Sequence, residues 1–203
     1  EGYLAPLWRA DKAQAAFDGA HELVARVTAH CFSEEAPAQL VDAGIDCIEH
    51  GTGLTDETIA TMAEREVGLV PTLINIETFP SIAAQADGKF PKYAAHMRHL
   101  HTHRHETIAK AWDAGVPIYA GTDAGGTIKH GLIASEVRLL AAVGGAEMAL
   151  GAASWRARAW LGGEQLGIGD SADLLVLDRD PRVDVGVLES PTYIVLRGRV
   201  VIR

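Results

Sequence analysis

The sequence is poor in cysteine, and it has no long apolar run. Only two of its 203 residues are cysteines, Cys31 and Cys47. Because their spacing matches neither a zinc ribbon nor a disulfide framework, we expect a reducing, cytoplasmic environment. No stretch reaches the roughly 18 apolar residues of a membrane span, and no basic region followed by an apolar run marks a signal peptide. We therefore expect neither a disulfide-stabilised protein nor a membrane protein.

Basic clusters are also absent. Acidic residues outnumber basic ones by 27 to 18, which gives a formal net charge of -9. A chain with this balance and no run of Lys or Arg lacks an obvious phosphate-binding surface, so nucleic acid is not an expected partner. The hydrophobic fraction of 48% and the charged fraction of 22% are ordinary for a globular protein.

Short β-branched stretches alternate with helical patterns through the first part of the chain. Strands are predicted at residues 23–31, 45–51, 68–73 and 115–126, and helices at about 33–44, 55–67 and 92–114. Residues 74–91 show no regular pattern and are predicted to be either a loop that covers the substrate or a solvated connection. Repeated strand–helix units imply a parallel sheet and the α/β class.

The sequence changes character after two further helical segments within residues 131–161. Residues 166–181 and 193–203 are strand-like, interrupted by glycine and separated by a loop that contains proline. We place a boundary near Gly163. The chain is thus predicted to consist of an α/β part, residues 1–163, and a small β part, residues 164–203.

Isolated polar residues stand at the ends of the predicted strands. His30 ends the first strand, His50 the second and Asp123 the fourth. In an α/β barrel the carboxyl ends of the strands meet at one opening, where imidazole and carboxylate groups are normal ligands for zinc. Each histidine alone is better interpreted as a satisfied, partly buried residue. Three such groups together favour a metal, because every buried polar group without a partner costs about 1–3 kcal/mol.

Several stretches resemble the C-terminal half of the amidohydrolase superfamily. They are VTAHC with His30, IEHGTGL with His50, GLVPTL, AGTDAGG with Asp123, and the tail LGIGDSADLLVLDRDP with YIVLRGRVV. The nearest branch contains imidazolonepropionases and prolidase-like metal-dependent hydrolases. The resemblance implies the C-terminal half of a (β/α)8 TIM-type barrel, strands five to eight, plus part of a small β-sandwich. It also implies that His30, His50 and Asp123 are metal-site residues for one or two divalent ions, with zinc expected.

The same resemblance implies a reaction. A metal-activated water would hydrolyse an amide-type C–N bond in a small molecule, such as a dipeptide, an N-acyl amino acid or a cyclic amide. Asp123 would take the proton of the water and pass it to the leaving nitrogen. His50 would either bind a second ion or donate a hydrogen bond to the oxyanion. His130 is a candidate substrate-binding residue, with a helix-capping surface residue as the alternative.

Two features of the family have no counterpart here. The chain lacks the His-x-His pair of barrel strand one and the carboxylated lysine of strand four, since the HTH at residues 101–103 follows the third predicted strand, in the wrong place and order. A complete barrel takes about 250 residues, whereas about 160 remain here without the β part. The chain is therefore expected to act only with a missing N-terminal half of the same protein as its partner. A homo-oligomer is a further possibility, because the unpaired edges of a half-barrel sheet favour association. The alternative is a non-catalytic amidohydrolase-like lobe that serves binding or assembly.

Five of the nine histidines lie in one segment, HMRHLHTHRH, residues 96–105. The segment is predicted to be helical and contains no carboxylate. We interpret it as a solvated helix surface, with capture of adventitious metal by histidine pairs as the alternative.

Overall fold

The computed structural model describes residues 4–163 and 165–202. The chain divides into two compact units, Glu1–Ile118 and Tyr119–Arg203. Residue 164, where the small β part is predicted to begin, lies outside the described residues, so this boundary stays a prediction. Within the described ranges, no helix is both long and apolar enough to cross a membrane.

The first unit alternates helices with the strands of a parallel sheet. Its elements are α1 (Ala10–Glu22), β1 (Thr28–Cys31), α2 (Ala36–Asp42), β2 (Cys47–His50), α3 (Asp56–Glu64), β3 (Gly68–Val70), α4 (Leu73–Ile76), α5 (Phe79–Ala86) and α6 (Pro91–Asp113). The strands pair in the order β1, β2, β3, with Thr28 opposite Cys47 and Cys47 opposite Gly68. Helical crossovers between parallel strands confirm the predicted mixed α/β class.

A hydrophobic core fixes the sheet of this unit. Phe17, Val41, Ile48, Met62 and Leu69 are all buried within one apolar cluster. Since Ile48 and Leu69 are opposite each other in the register of β2 and β3, they form a continuous apolar surface across the two strands. This packing holds the carboxyl end of β2, where His50 lies.

The first predicted strand is too long at its beginning. Leu23 and Val24 close the C-terminal end of α1, where the Val24 N–H donates to the His21 carbonyl and Val24 has a φ of +58°. A left-handed residue is a common way to end a helix, although glycine is usual there. The β-branched run therefore begins its strand only at Thr28.

Residues 74–91, predicted to be irregular, contain the end of α4 and all of α5. Pro80 lies in the first turn of α5 and Pro91 in the first turn of α6. Proline is favoured there because the first turn of a helix needs no backbone N–H donor. The prolines that indicated a loop in the sequence thus mark two helix starts, and the prediction of an irregular segment is wrong.

The predicted fourth strand, residues 115–126, forms no continuous strand: one parallel bridge joins it to the sheet, and Ala124 forms a second isolated bridge with Ile128. Ile118 pairs with Leu69 of β3, and the Leu69 N–H donates to the Pro117 carbonyl at 2.8 Å. Pro117 has no N–H to continue the ladder. The described residues therefore hold three parallel strands and this bridge, and they do not close a barrel.

The second unit contains two helices followed by an antiparallel sheet. Its elements are α7 (Ile133–Ala153), α8 (Trp155–Trp160), β4 (Leu174–Val176), a short 3₁₀ helix (Val185–Glu189), β5 (Tyr193–Leu196) and β6 (Arg199–Ile202). β5 pairs with both β4 and β6. The turn between β5 and β6 places Arg197 and Gly198 at positive φ, as a tight hairpin requires.

Candidate functional site

His50 ends β2, and His30 is the penultimate residue of the neighbouring strand β1. In the register, Cys31 rather than His30 lies opposite His50. His50 has a φ of +66°, a left-handed backbone conformation that residues other than glycine rarely adopt. In this arrangement the imidazoles meet, with 2.7 Å between His30 Nδ1 and His50 Nε2. The structure thus brings together two of the predicted site residues.

Thr72 continues this row of hydrogen bonds from the next strand. Its Oγ1 lies 2.6 Å from His50 Nδ1, and both residues are buried. Thr72 comes two positions after β3 and has a φ of +48°. Sequence reasoning missed this residue because GLVPTL reads as a continuous strand. The available signal was a polar residue at a strand end, the same signal that indicated His30 and His50.

Phe32 covers both imidazoles. Its ring centroid lies 4.5 Å from that of His30, 4.5 Å from that of His50 and 4.9 Å from that of Phe79. Aromatic rings at such separations pack favourably at an edge or with a tilt. Phe32 therefore supplies an apolar wall beside the two histidines, of which His50 is buried and His30 is exposed.

Gly51 allows the turn after His50 to lie directly against β3. A Cβ at this position would lie 2.5 Å from Leu69 Cδ1, and Gly51 has a φ of +59°. Only glycine combines the close approach with this conformation at little cost. The turn that orients His50 is consequently fixed by close packing between Gly51 and Leu69.

Burial sets the protonation state of His50. Desolvation, followed by the nearby His30, lowers the pKa of His50 from 6.5 to about 4. At neutral pH its imidazole is uncharged, with one N–H and one nitrogen lone pair. Uncharged imidazole is the form that binds a metal ion.

The two histidines fit a pair of metal ligands. With Zn–N distances of about 2.0–2.1 Å, two nitrogens of a tetrahedral site lie about 3.4 Å apart, so the rings would have to separate by roughly 0.7 Å. The other nitrogen of His50 is held by Thr72, as is usual for metal-bound histidines. In the part of the chain that the structure describes, no third His, Cys, Asp or Glu joins them in a group able to hold an ion.

Asp123 and His130 lie in the second unit, in the segment before α7. Asp123 is exposed and has a φ of +54°. The segment folds back on itself, since the Gly125 N–H donates to the Ile128 carbonyl at 3.1 Å. A Cβ at Gly125 would lie 4.0 Å from His130 Nε2, so the exposed His130 side chain lies over this glycine-rich turn.

His50, Thr72 and Asp123 share a strained backbone conformation. Six non-glycine residues within the described ranges have positive φ. Three of them lie at helix ends or in the hairpin turn, where this is common: Val24, Glu66 and Arg197. The other three lie in the second, third and fourth predicted strands, near the carboxyl ends of these strands. Such strain costs about 1–3 kcal/mol per residue and concentrates at functional sites.

The histidine-rich segment lies on α6. The rings of His99 and His103 are 4.2 Å apart between centroids, and His103 Nδ1–H donates to the His99 carbonyl at 2.9 Å. His101 Nε2 lies 3.5 Å from a Glu77 carboxylate oxygen. His99 and His103 are exposed, in agreement with the interpretation of this segment as a helix surface.

Comparison with known proteins identifies the class. A sequence model of the amidohydrolase family matches residues 8–202, so this chain belongs to that family, and the predicted resemblance is confirmed. An uncharacterized protein of Mycobacterium tuberculosis is 58% identical over 199 residues, which cover 98% of this chain and 54% of that relative.

Solved structures agree with this membership. The fold is similar to that of a Xaa-Pro dipeptidase with bound methionine in the active site, with a TM-score of 0.84 and 28% identity over 97% of this chain and 50% of that one. It is also similar to a prolidase complexed with N-methylphosphonate-L-proline, with a TM-score of 0.83, 28% identity and the same two coverages. The chain thus spans about half the length of the relatives it matches.

Proposed function

We propose that the complete protein is a metal-dependent hydrolase that cleaves an amide-type C–N bond in a small molecule. The observation that carries this proposal is the pair of converging imidazoles, His30 and His50, in a chain of the amidohydrolase family. The similar prolidase and Xaa-Pro dipeptidase structures make dipeptides with a second-position proline the first substrates to test. N-acyl amino acids and cyclic amides are the other candidate substrates.

We propose further that the chain is the C-terminal half of a (β/α)8 TIM-type barrel. In this interpretation β1, β2 and β3 are strands five to seven, and the segment around Ile118 takes the place of strand eight. Residues 164–203 would contribute the sheet β4–β6 to a small β-sandwich. The parallel order of the strands and the coverage of about half of each relative support the assignment. The family also uses a His-x-His pair of strand one, which this chain lacks, so an N-terminal half is needed as partner to complete the site.

The residues of this chain would have the following roles in the reaction. A bound divalent ion, with zinc expected and one or two ions per site, supplies polarisation of the carbonyl and a more acidic water. His30 Nδ1, His50 Nε2 and the Asp123 carboxylate would hold it, or His50 would instead stabilise the developing oxyanion. Phe32 packs against the rings of His30 and His50 and would help to orient them.

We assign proton transfer to Asp123 from its place in the family motif. As the water oxygen bonds to the carbonyl carbon, Asp123 accepts the released proton. When the C–N bond breaks, the same carboxyl group delivers that proton to the leaving nitrogen. His130, which follows the same glycine-rich turn, is assigned to substrate binding. A cytoplasmic location is also part of the proposal, since Cys31 and Cys47 are both free thiols.

The experiment is metal analysis and hydrolysis by the complete protein. We expect a bound transition metal, loss of activity in chelator and recovery on adding zinc. Asp123→Asn should abolish turnover while the metal content and the fold are retained. Asp113→Asn, at an exposed position that ends α6, is the matched control and should leave activity unchanged. Hydrolysis that is insensitive to chelator, or that survives Asp123→Asn, would contradict the proposal.

One observation favours a second candidate function. The described residues hold no group of three potential metal ligands, which is what a non-catalytic amidohydrolase-like lobe for binding or assembly would show. A complete protein without metal and without hydrolytic activity, but with a stable partner or a defined oligomer, would support this alternative.

A further inference from the structure

We propose that Thr72 is a positioning residue that fixes the tautomer of His50. Its hydroxyl oxygen accepts a hydrogen bond from His50 Nδ1–H, which leaves the lone pair of His50 Nε2 directed toward His30. The importance of this arrangement for metal binding rests on the proposed function, whereas the tautomer itself does not.

The first argument is the geometry of the contact. Thr72 Oγ1 and His50 Nδ1 are 2.6 Å apart, and the two residues are 2% and 3% exposed. An uncharged imidazole carries a single N–H, and the partner of one nitrogen determines what the other can do. Water has little access to this contact, so the Thr72 hydroxyl is the group placed to set the tautomer of His50. A hydroxyl can accept from Nδ1–H or donate to Nδ1, and in the proposed tautomer it accepts.

The second argument is what the Thr72 hydroxyl does not do. Thr72 is the N-cap residue of α4, and its carbonyl accepts from the N–H groups of Asn75 and Ile76. A threonine at this position ordinarily accepts a backbone N–H with its side chain, which stabilises a helix by about 1 kcal/mol. Here the side chain makes no such capping bond. The hydroxyl is instead aimed at His50.

The third argument is the backbone. Thr72 has φ and ψ of +48° and +48°, in the left-handed region that a β-branched residue adopts only under strain. Leu73 and Ile76, which follow it, are completely buried and anchor α4. The left-handed backbone also keeps Thr72 out of the extended conformation that side-chain capping uses, so the fold holds Thr72 in an unfavourable conformation in which its hydroxyl contacts His50.

A chain of directed hydrogen bonds follows. With His50 Nδ1–H donating to Thr72 Oγ1, the Nε2 lone pair can accept from His30 Nδ1–H, 2.7 Å away. The same lone pair is the one that a metal ion would take. Partners of this kind typically change metal affinity by 10- to 100-fold when they are removed.

The test compares three variants with the native chain. Thr72→Val keeps the shape and removes the hydroxyl, whereas Thr72→Ser keeps the hydroxyl. Thr52→Val is the matched control, since Thr52 is also buried and its hydroxyl donates to the Phe32 carbonyl at 3.3 Å. Thr72→Gly removes the hydroxyl and tolerates the left-handed backbone, and it serves if the valine variant does not fold.

The first measurement is a long-range ¹H–¹⁵N NMR correlation of the imidazoles in the metal-free chain. We expect His50 to be protonated at Nδ1 in the native chain, in Thr72→Ser and in Thr52→Val. Thr72→Val or Thr72→Gly should shift His50 toward the Nε2-protonated form. A native chain protonated at His50 Nε2, or a tautomer that Thr72→Val leaves unchanged, would overturn the inference.

The second measurement is the affinity of the complete protein for zinc, by competition with a chromophoric chelator. A His99→Gln background removes the exposed histidine pair on α6 from the titration. We expect Thr72→Val to weaken zinc binding by 10- to 100-fold and Thr72→Ser to restore it. If the tautomer depends on Thr72 but no variant or native protein binds zinc, the proposed function fails and the positioning role of Thr72 stands.

Discussion

Acidification should destabilise the first unit, because His50 has to remain uncharged while it is buried. Its pKa is lowered from 6.5 to about 4, first by desolvation and then by His30. Between these two values, the unfolded chain binds a proton that the folded chain does not bind. The free energy of unfolding therefore falls as the pH decreases through this window, and the contribution of His50 is fully present only above about pH 6.5.

The size of the effect follows from the width of the window. A difference of about 2.5 pH units between the folded and unfolded states corresponds to about 3 kcal/mol. This is a large fraction of the stability of an ordinary domain, which is about 5–15 kcal/mol. An effect of this size is readily measured by urea denaturation at a series of pH values.

The assay compares the native chain with His50→Gln, both in chelator so that no metal holds His50 uncharged. Carboxylates that titrate in the same range contribute equally to both proteins, so the difference between the two pH profiles isolates His50. His99→Gln, at an exposed position on α6, is the matched control and should follow the native profile. If the native chain and His50→Gln lose stability in parallel between about pH 6.5 and 4, burial of an uncharged His50 is refuted.

Two further predictions concern packing and thiol chemistry. Gly51→Ala should lower the free energy of unfolding by more than about 1 kcal/mol, because the new Cβ would lie 2.5 Å from Leu69 Cδ1 and the residue has a positive φ. Gly19→Ala, where a Cβ meets open space on α1, should raise the free energy of unfolding by about 0.5–1 kcal/mol. Urea denaturation measures both. Equal effects of the two alanines would contradict the close approach. Burial raises the pKa of Cys31 and raises that of Cys47 to about 12, so neither thiol should react with a disulfide reagent at neutral pH until the chain unfolds; rapid reaction of the native chain would disprove this.

The sequence carries much of the first unit in its local patterns. Helix α3 begins after Thr55, whose side chain accepts from the Thr58 N–H as the N-cap pattern predicts. The meeting of His30 and His50 follows from a general rule, because neighbouring parallel strands end at the same edge of a sheet. Patterns of residue type thus predict the elements and place both histidines at one edge.

The features of the site that could not be predicted from the sequence depend on backbone angles. The left-handed conformations of His50 and Thr72 are imposed by packing around them, and nothing in the residue types encodes them. Strand length is equally hard to predict from hydrophobicity, since the left-handed Val24 still belongs to the end of α1 and Pro117 lacks the N–H that would extend the ladder with β3. Thr72 therefore becomes visible as a functional candidate only when its contact with His50 is seen.

The most direct test of the central claim is the metal content of the complete protein and of two double variants. His30→Gln with His50→Gln should lose the bound metal, whereas His99→Gln with His103→Gln, which removes the exposed pair on α6, should retain it. X-ray absorption of the native protein should show imidazole nitrogen at about 2.0–2.1 Å from the metal. Metal that persists without His30 and His50, or that disappears with His99 and His103, would contradict the account.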